Sequence, residues 1–567
     1  MKTIFTCFAL LMSTVLSAQI GFQKLTIPPE LPVRVMAEWE EVQQVIVAFD
    51  EGAGILYPFL TEVVRQAGEV CEVMVVCENE TTVRNYLEGH GVDLTNITFF
   101  VAGLNSVWTR DYAPTTAYLN DVDSLVFVDW IYNRHDRQAD DTLSYSLGAF
   151  LNVPVFTTTA APDKLVNVGG NFICDGMGTG FSSKLVLTDN NGSFLPEIDH
   201  DEEEIDAIMD SFMGIDRYIK FDILPYDVIH HLDMHMKLLD EETILFSEFP
   251  DGVSDAAQIE ANIAYLLNNY KTPFGTDYKI VHIPVPPCDE TNYPPDCSAP
   301  NEYRNYANAF FINKTVLVPT YDDEEWDSLA LNTWRDNMPG YHIVGINSTD
   351  IIRYAGAVHC VIKEVGVREP LRIVHQKIKS AEVDSQVVIR AIIQHNTGIA
   401  HATVFYKEKN QPVFQSVAMT NDGDIPDEWS AIIPAFGDST SVDYYIEAAA
   451  HSGKTITRPM TAPEGFWSYQ VFPSIGITPV SAFAKIDNIF PNPASAITCV
   501  TVHSKRSIDC KLVIYNTMGQ AVLTLFEGRL HAGDNRLFFD ASSLTPAVYL
   551  VQLKTSQGTL TERVVVE

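Results

Sequence analysis

The sequence predicts an α/β domain followed by two small all-β sandwich domains, and three observations carry that prediction. From Val33 to about Val367, short β-branched apolar runs alternate with amphipathic stretches, the punctuation of an α/β chain. Near Arg368-Glu-Pro370 the helical period gives way to strands separated by turn residues. After Pro473–Pro479 a second block of the same all-β kind begins. A chain of 567 residues is too long for one core and fits about three or four domains. The expected order is a signal peptide at 1–18, an α/β domain at 19–370, an immunoglobulin-like β-sandwich at 371–473, a linker at 474–484 and a terminal β-domain at 485–567.

Met1-Lys2 leads into an apolar run with a small-residue exit at Ser17-Ala18, the pattern of an export signal cleaved after Ala18. Later apolar runs are too short to span a bilayer as a transmembrane segment, so the chain is expected to be secreted or held at the outer surface. Strands are expected at Gln44–Phe49, Glu72–Cys77 and Ile97–Ala102, with a helix at Tyr57–Ala67 between the first two. Further strands are expected at Ser124–Tyr132, Thr243–Ser247, Lys279–Ile283, Thr315–Pro319 and Tyr341–Val344. Helices at Glu202–Met213, Asp255–Asn269 and Asp323–Asn337 open on acidic residues, which suit the positive end of the helix dipole. Strand, helix, strand and polar loop recur without a fixed sequence period, so the architecture is expected to repeat in structure alone. The first β-domain takes Gln386–Gln394, Ala402–Tyr406, Glu428–Ile433, Ser441–Ala449 and Phe466–Phe472.

A formal charge of -37, from 37 basic and 74 acidic residues, argues against nucleic acid or an anionic membrane as partner and favours a cationic small substrate. Cys7 belongs to the export signal. Of the other eight cysteines, Cys288 and Cys297 flank a proline-rich loop and make the natural disulfide of an oxidising compartment. Cys71/Cys77 and Cys499/Cys510 are weaker pairs, which leaves Cys174 and Cys360 unpaired.

Chemistry is expected at Tyr354-Ala-Gly-Ala-Val-His-Cys360. A thiol at a small-residue turn is open to approach, and an imidazolium or a cationic substrate lowers its pKa, whereas the ordinary alternative is a buried strand cysteine. Upstream stand Trp108-Thr-Arg110-Asp111-Tyr, Val168-Gly-Gly-Asn171, His231-Leu-Asp233 and Asn308. Each alone has a structural explanation: Asp111 as an ion pair with Arg110, Gly169-Gly170 as a turn, Trp108 as core. On a strand, His231, Asp233 and His235 would share one face, so a metal-dependent hydrolase is a competing reading, although no second ligand cluster follows downstream. In an extended segment His359 would point away from the face of Cys360, as support rather than base. The acidic run Asp199–Glu204 lacks the spaced oxygen ligands of a calcium loop and reads as a loop entering a helix.

Taken together and in order, Ala37-Glu-Trp-Glu, Trp108-Thr-Arg-Asp-Tyr, Gly169-Gly-Asn, His231-Leu-Asp and Gly356-Ala-Val-His-Cys resemble the agmatine deiminase and bacterial peptidylarginine deiminase family, over about residues 30 to 370. The resemblance implies the five-bladed, pseudo-symmetric α/β propeller of guanidino-modifying enzymes, working without cofactor or metal. It assigns Asp111 and Asp233 to clamping a planar guanidinium, whose N–H pairs suit carboxylates. Cys360 becomes the nucleophile that forms a covalent thiouronium, and His231 the acid for departing ammonia and then the base for water. Trp108 lies against the substrate, and Asn308 matches a site asparagine.

The segment Asp129-Trp-Ile-Tyr-Asn133-Arg134-His-Asp-Arg137 separates the branches. Agmatine deiminases carry an Asn-x-Trp-Gly-Gly turn here, while the peptidylarginine branch clamps the substrate carboxylate with Asn-Arg-x-Arg. Arg134 matches the first arginine of that pattern, and Arg137 falls one residue beyond the second. The alternative is that both pair with Asp136, Asp140 or Asp141 on a solvated loop. The expected substrate is therefore a C-terminal peptidyl-arginine or free arginine, giving citrulline and ammonia. The alternatives are agmatine, giving N-carbamoylputrescine for putrescine biosynthesis, and an inactive surface adhesion protein. Finally, Asn488-Ile-Phe-Pro-Asn-Pro, Tyr515-Asn-Thr-Met-Gly and Arg563-Val-Val-Val resemble the C-terminal sorting domain of type IX secretion cargo, which implies that machinery as partner.

Overall fold

The apolar run Val42–Phe49 is buried along almost its whole length, as a strand with neighbours on both edges must be. It pairs in parallel with Glu72–Cys77 across the helix Tyr57–Gly68, and antiparallel with Ile362–Gly366 from the far end of the domain. The first sheet is thus built from both ends of the α/β chain, which closes it on itself. This computed structural model describes residues 23–289, 291–299, 301–423, 425–473 and 480–567. The expected signal peptide and the first part of the expected linker lie outside the described residues.

The same module recurs: a first strand antiparallel to a second, and the second parallel to a third across a helix. It is formed by Thr115–Leu119, Ser124–Asp129 and Val155–Thr157 with helix Leu143–Leu151. It appears again in Ile173–Cys174, Thr179–Ser183 and Arg217–Phe221 with helix Glu202–Met213. Met236–Leu238, Thr243–Glu248 and Lys279–Pro284 repeat it around helix Ala256–Asn269. Phe310–Ile312, Thr315–Thr320 and His342–Asn347 do so around Glu324–Asn337. The strand expected over Ser124–Tyr132 is broken at Trp130 into Ser124–Asp129 and Ile131–Tyr132.

Helix Glu202–Met213 shows how the local sequence writes one module. Asp201 and Glu204 form a reciprocal capping box, which explains the acidic run. Ile205, Ile208, Met209 and Phe212 recur at helical spacing and are buried. The helix stops at Gly214, in the left-handed region at φ 67°, where a Cβ would lie 1.8 Å from the Val33 carbonyl oxygen.

Residues after Leu371 form two sheets that share one core, with Thr440–Ala450 central to the larger and Val387–Gln394 central to the smaller. They pack on the α/β part through Arg458 and Glu241 at 2.9 Å, Lys377 and Asp240, and a bond donated by Arg372 to the Gly176 carbonyl at 2.8 Å. Both parts form one compact unit ending at Val471, and Phe472–Glu567 form a second. That second unit has a sheet of Ala484–Phe490, Ile497–Ser504 and Gly533–Asp540 facing a sheet centred on Ile508–Asn516 and Ala547–Thr555.

The disulfide Cys288–Cys297 forms. Cys71, Cys77, Cys499 and Cys510 are free. Cys71 and Cys77 stand at opposite ends of one strand, about 20 Å apart at the rise of an extended chain, and Cys499 and Cys510 belong to different sheets.

Trp334 is fully buried, and its indole N–H donates to the Tyr306 carbonyl at 3.1 Å, two residues before Asn308. Trp334→Ala is expected to destabilise the first unit by about 3–5 kcal/mol in denaturant unfolding, the cost of truncating a large buried aromatic. A loss below about 1 kcal/mol would contradict this packing.

Candidate active site

The motifs around Asp111, Gly169-Gly170, Asp233, Asn308 and Cys360 each occupy the turn or loop just before the first strand of a module. Cys360 sits in the single turn His359–Val361, immediately before Ile362–Gly366. Asp111 sits in Thr109–Tyr112, before Thr115–Leu119, and Gly169–Asn171 precede Ile173–Cys174. Asp233 sits in the turn Leu232–Met234, before Met236–Leu238, and Asn308 in the loop before Phe310–Ile312. Close backbone approach requires the glycines. A Cβ on Gly169 would lie 1.9 Å from the Arg110 carbonyl oxygen, and one on Gly356 would lie 2.5 Å from the Trp108 ring.

Three polar atoms from two of these turns converge on Gly170. A Cβ there would stand 2.6 Å from His231 Nδ1, 3.0 Å from Asp111 Oδ1 and 3.3 Å from Asp233 Oδ1. His231 Nδ1 and Asp111 Oδ1 are 3.6 Å apart. Asp111 Oδ1, Asp233 Oδ1 and His231 Nε2 are buried and accept or donate no hydrogen bond among the described residues. Each carboxylate commits its other oxygen. Asp111 Oδ2 accepts from the Tyr132 hydroxyl at 3.4 Å, and Asp233 Oδ2 bonds His359 Nδ1 at 2.6 Å. The clamp expected from Asp111 and Asp233 therefore presents one free oxygen per carboxylate.

Cys360 is only 4% exposed. The Asn308 amide donates to its sulfur at 3.3 Å, and Asp233 Oδ2 lies 3.7 Å from it. Asn308 also accepts from the His359 backbone N–H at 2.9 Å, so this asparagine shapes the turn that carries Cys360 as well as touching its sulfur. Burial, with the negative charges of Asp233 and Asp111, pushes the thiol well above the ordinary cysteine range. Burial also works against the Asp233 carboxylate, but the bond and charge of His359, with His231 and Arg110, hold it below the ordinary range.

Several expectations change here. Arg110 and Asp111 do not pair: Arg110 bonds Glu364 at 2.7 Å, and its Nε donates to the His359 carbonyl at 3.4 Å. His231, Asp233 and His235 are not on a strand, because His230 turns the chain at φ 58° into a single helical turn. Burial depresses His235 to about 4. Among the described residues no three His, Cys, Asp or Glu side chains converge to hold a metal. His359, in a turn rather than extended, spans from Asp233 to Glu38, whose Oε1 lies 2.6 Å from Nε2. The sequence assigns no role to Glu38 or Tyr132, since nothing in their spacing tells a buried bridge from a surface group.

Neither Arg134 nor Arg137 pairs with Asp136, Asp140 or Asp141. Arg134 donates to the carbonyl and side-chain oxygens of Asn133 at 3.2 and 3.1 Å. Asn133 in turn donates to Asp189 at 2.9 Å. Arg137 donates to the Tyr132 hydroxyl at 2.9 Å and so reaches Asp111 through that ring. Trp108 is half-buried beside Gly356 and packs against both main apolar clusters of the domain.

Two expected outcomes follow from this geometry. Gly170→Ala should lower kcat about 100-fold, as a misplacement of about 1 Å does, while thermal unfolding stays near the parent. Normal turnover would show that the three atoms do not act together. The raised thiol pKa means that thiolate forms only as the pH climbs past the free value. Alkylation of Cys360 by neutral iodoacetamide should therefore be slow near pH 7 and still rising beyond about pH 9. A plateau below about pH 8 would contradict it.

Residues 34–365 match the family model for Porphyromonas-type peptidyl-arginine deiminase, and 488–567 match that for the secretion system C-terminal sorting domain. A Legionella pneumophila protein provisionally named an agmatine deiminase is 24% identical over 294 residues, 50% of this chain and 78% of its own. A Vibrio parahaemolyticus protein of the same provisional name is 23% identical, covering 58% and 95%. The crystal structure of a protein from Porphyromonas gingivalis, provisionally named an arginine deiminase, aligns with TM-score 0.51 at 21% identity over 59% of this chain and 98% of that one. That of the Enterococcus faecalis agmatine deiminase aligns with TM-score 0.50 at 19% identity over 59% and 95%.

Proposed function

Given that the chain belongs to the Porphyromonas-type peptidyl-arginine deiminase family and carries a type IX secretion sorting domain, we propose that it is an exported deiminase of C-terminal or free arginine. The family comprises C–N hydrolases acting on guanidino groups, and its sorting domain indicates secretion and attachment at the cell surface. The proposal extends to the arrangement of the five modules as a five-bladed propeller, to export by a signal peptide cleaved after Ala18, to the two sandwich domains at 371–473 and 485–567, and to the role of each site residue. One observation carries it above all: two buried carboxylates on separate turns each keep a free oxygen beside a buried thiol. That arrangement suits a planar cation whose central carbon must meet a sulfur.

The substrate guanidinium donates to Asp111 Oδ1 and Asp233 Oδ1 in this reading, and its positive charge lowers the thiol pKa as it docks. The Cys360 thiol passes its proton to His231 as the sulfur bonds to the guanidinium carbon, and the C–N bond to one terminal nitrogen breaks as His231 hands that proton to the leaving ammonia. His231 then takes a proton from water, which adds to the thiouronium carbon. The C–S bond breaks, and the ureido product leaves with the thiol restored. Trp108 covers the substrate's aliphatic stem.

Arg134 supports the choice of substrate. It is half-buried, is oriented by Asn133 and forms no ion pair among the described residues, so its charge remains for a carboxylate that agmatine lacks. Arg137, already bonded to Tyr132, orients Asp111 and adds positive charge to the same entrance.

A colorimetric assay for ureido product on a C-terminal-arginine peptide, free arginine and agmatine tests the proposal. The unmutated chain should prefer the carboxylate-bearing substrates, and Cys360→Ala should leave no turnover. Arg134→Ala should erase the preference, about 10-fold or more, by removing a charge-assisted bond. Equal kcat/KM for agmatine and the arginine peptide in the unmutated chain would return the protein to agmatine deimination.

A further inference from the structure

We propose that His359 is a positioning residue: a buried strut between Glu38 and Asp233 that turns one Asp233 oxygen toward the substrate and keeps the carboxylate ionised. This rests on the reading of Asp233 as a guanidinium ligand. The geometry is specific. Nδ1 lies 2.6 Å from Asp233 Oδ2, Nε2 lies 2.6 Å from Glu38 Oε1, and the ring has no exposure. A neutral imidazole has one N–H, so two carboxylate bonds of this length call for both ring nitrogens to donate.

The strut is anchored at its far end. Glu38 also bonds Lys237, and Arg110 lies 4.0 Å from it; against the effect of burial, His359 first and then Lys237 and Arg110 hold Glu38 well below the carboxylate range. The near end meets the substrate position. With Oδ2 taken by His359, Asp233 keeps only Oδ1, the atom beside Gly170. Around Asp233 the other charged or titratable groups are His231, Arg110, Asp111 and Cys360, with Lys237, His235 and Asp227 behind them. Of these, only Cys360 is hydrogen-bonded to an Asp233 carboxylate oxygen, its sulfur donating to Oδ2 at 3.7 Å, a longer bond to the same oxygen that His359 holds at 2.6 Å. Without the strut, a buried carboxylate facing Asp111 would take up a proton at higher pH and lose its hold on a cation.

The test uses the full chain and the pH dependence of kcat/KM for an arginine substrate. The unmutated protein must first give ureido product; if it does not, the functional reading fails before the strut is examined. In His359→Gln the acid limb of kcat/KM should move up by about one to two pH units, with KM rising more than kcat falls, because Gln cannot supply the lost positive charge. Glu38→Asp keeps the charge that Lys237 and Arg110 neutralise but withdraws the carboxylate from Nε2, and should shift the limb the same way by less. A limb unmoved in a variant with the parental far-UV spectrum and melting temperature overturns the proposal. Should neither variant fold, a crystal structure of the unmutated chain soaked with an arginine-like guanidinium decides it: His359 within about 3 Å of both Glu38 and Asp233 with the guanidinium on Asp233 Oδ1 supports the strut, and a guanidinium on Oδ2 or a ring turned away from Asp233 overturns it.

Discussion

The site depends on burying two carboxylates, Asp111 and Asp233, within reach of one thiol. An uncompensated buried charge typically costs about 3–5 kcal/mol, so this constellation survives only with partners supplied from elsewhere in the chain. The partners come from several modules. His359 and Arg110 serve Asp233, Glu38 and Glu364 balance them, and Lys237 steadies Glu38. One oxygen on each aspartate accepts no hydrogen bond among the described residues, although His231 stands 3.6 Å from that of Asp111. Both free oxygens lie beside Gly170, where the absent side chain leaves room next to His231.

The same constraint explains why the motifs appear in one order along the chain. Each occupies the turn before the first strand of its module, so successive motifs reach one centre from successive sheets. Ala37-Glu-Trp-Glu is the exception that ties the site to its surroundings. Glu38 enters the ionic network, Trp39 is buried with Arg458 of the following β-part 5.9 Å above its ring, and Glu40 pairs with Arg34. A single short stretch thereby joins the ionic network under Cys360 to the surface on which the following β-part packs.

What the sequence made legible followed element length and periodicity. The long strands Val42–Phe49 and Glu72–Cys77 and the capped helices Glu202–Met213 and Glu324–Asn337 lie within a few residues of their expected places, because each has enough turns or alternations to show a period. The first strands of the modules escaped notice: Ile173–Cys174, Met236–Leu238 and Phe310–Ile312 have two or three residues and no period to read. Among the site residues, Cys360, His231, Asp233, Asp111 and Asn308 come together in space, their ordered motifs having stood out. His359 was expected as support rather than base, but its partners, like the part of Glu38, could not be read from sequence, since they depend on two turns, distant in the chain, meeting across Asp233. Cys71 and Cys77, kept as a weaker candidate pair by the sequence, are free, since the strand between them holds them apart.

The most direct measurement is mass spectrometry of the unmutated chain, acid-quenched within the first turnover on a C-terminal-arginine peptide. The account predicts a substrate adduct, less one ammonia, on the peptide that contains Cys360, and entry of one solvent oxygen into the ureido product when the reaction runs in 18O water. Ureido product formed while the Cys360 peptide stays unmodified, or an adduct carried by Cys174 instead, would contradict it.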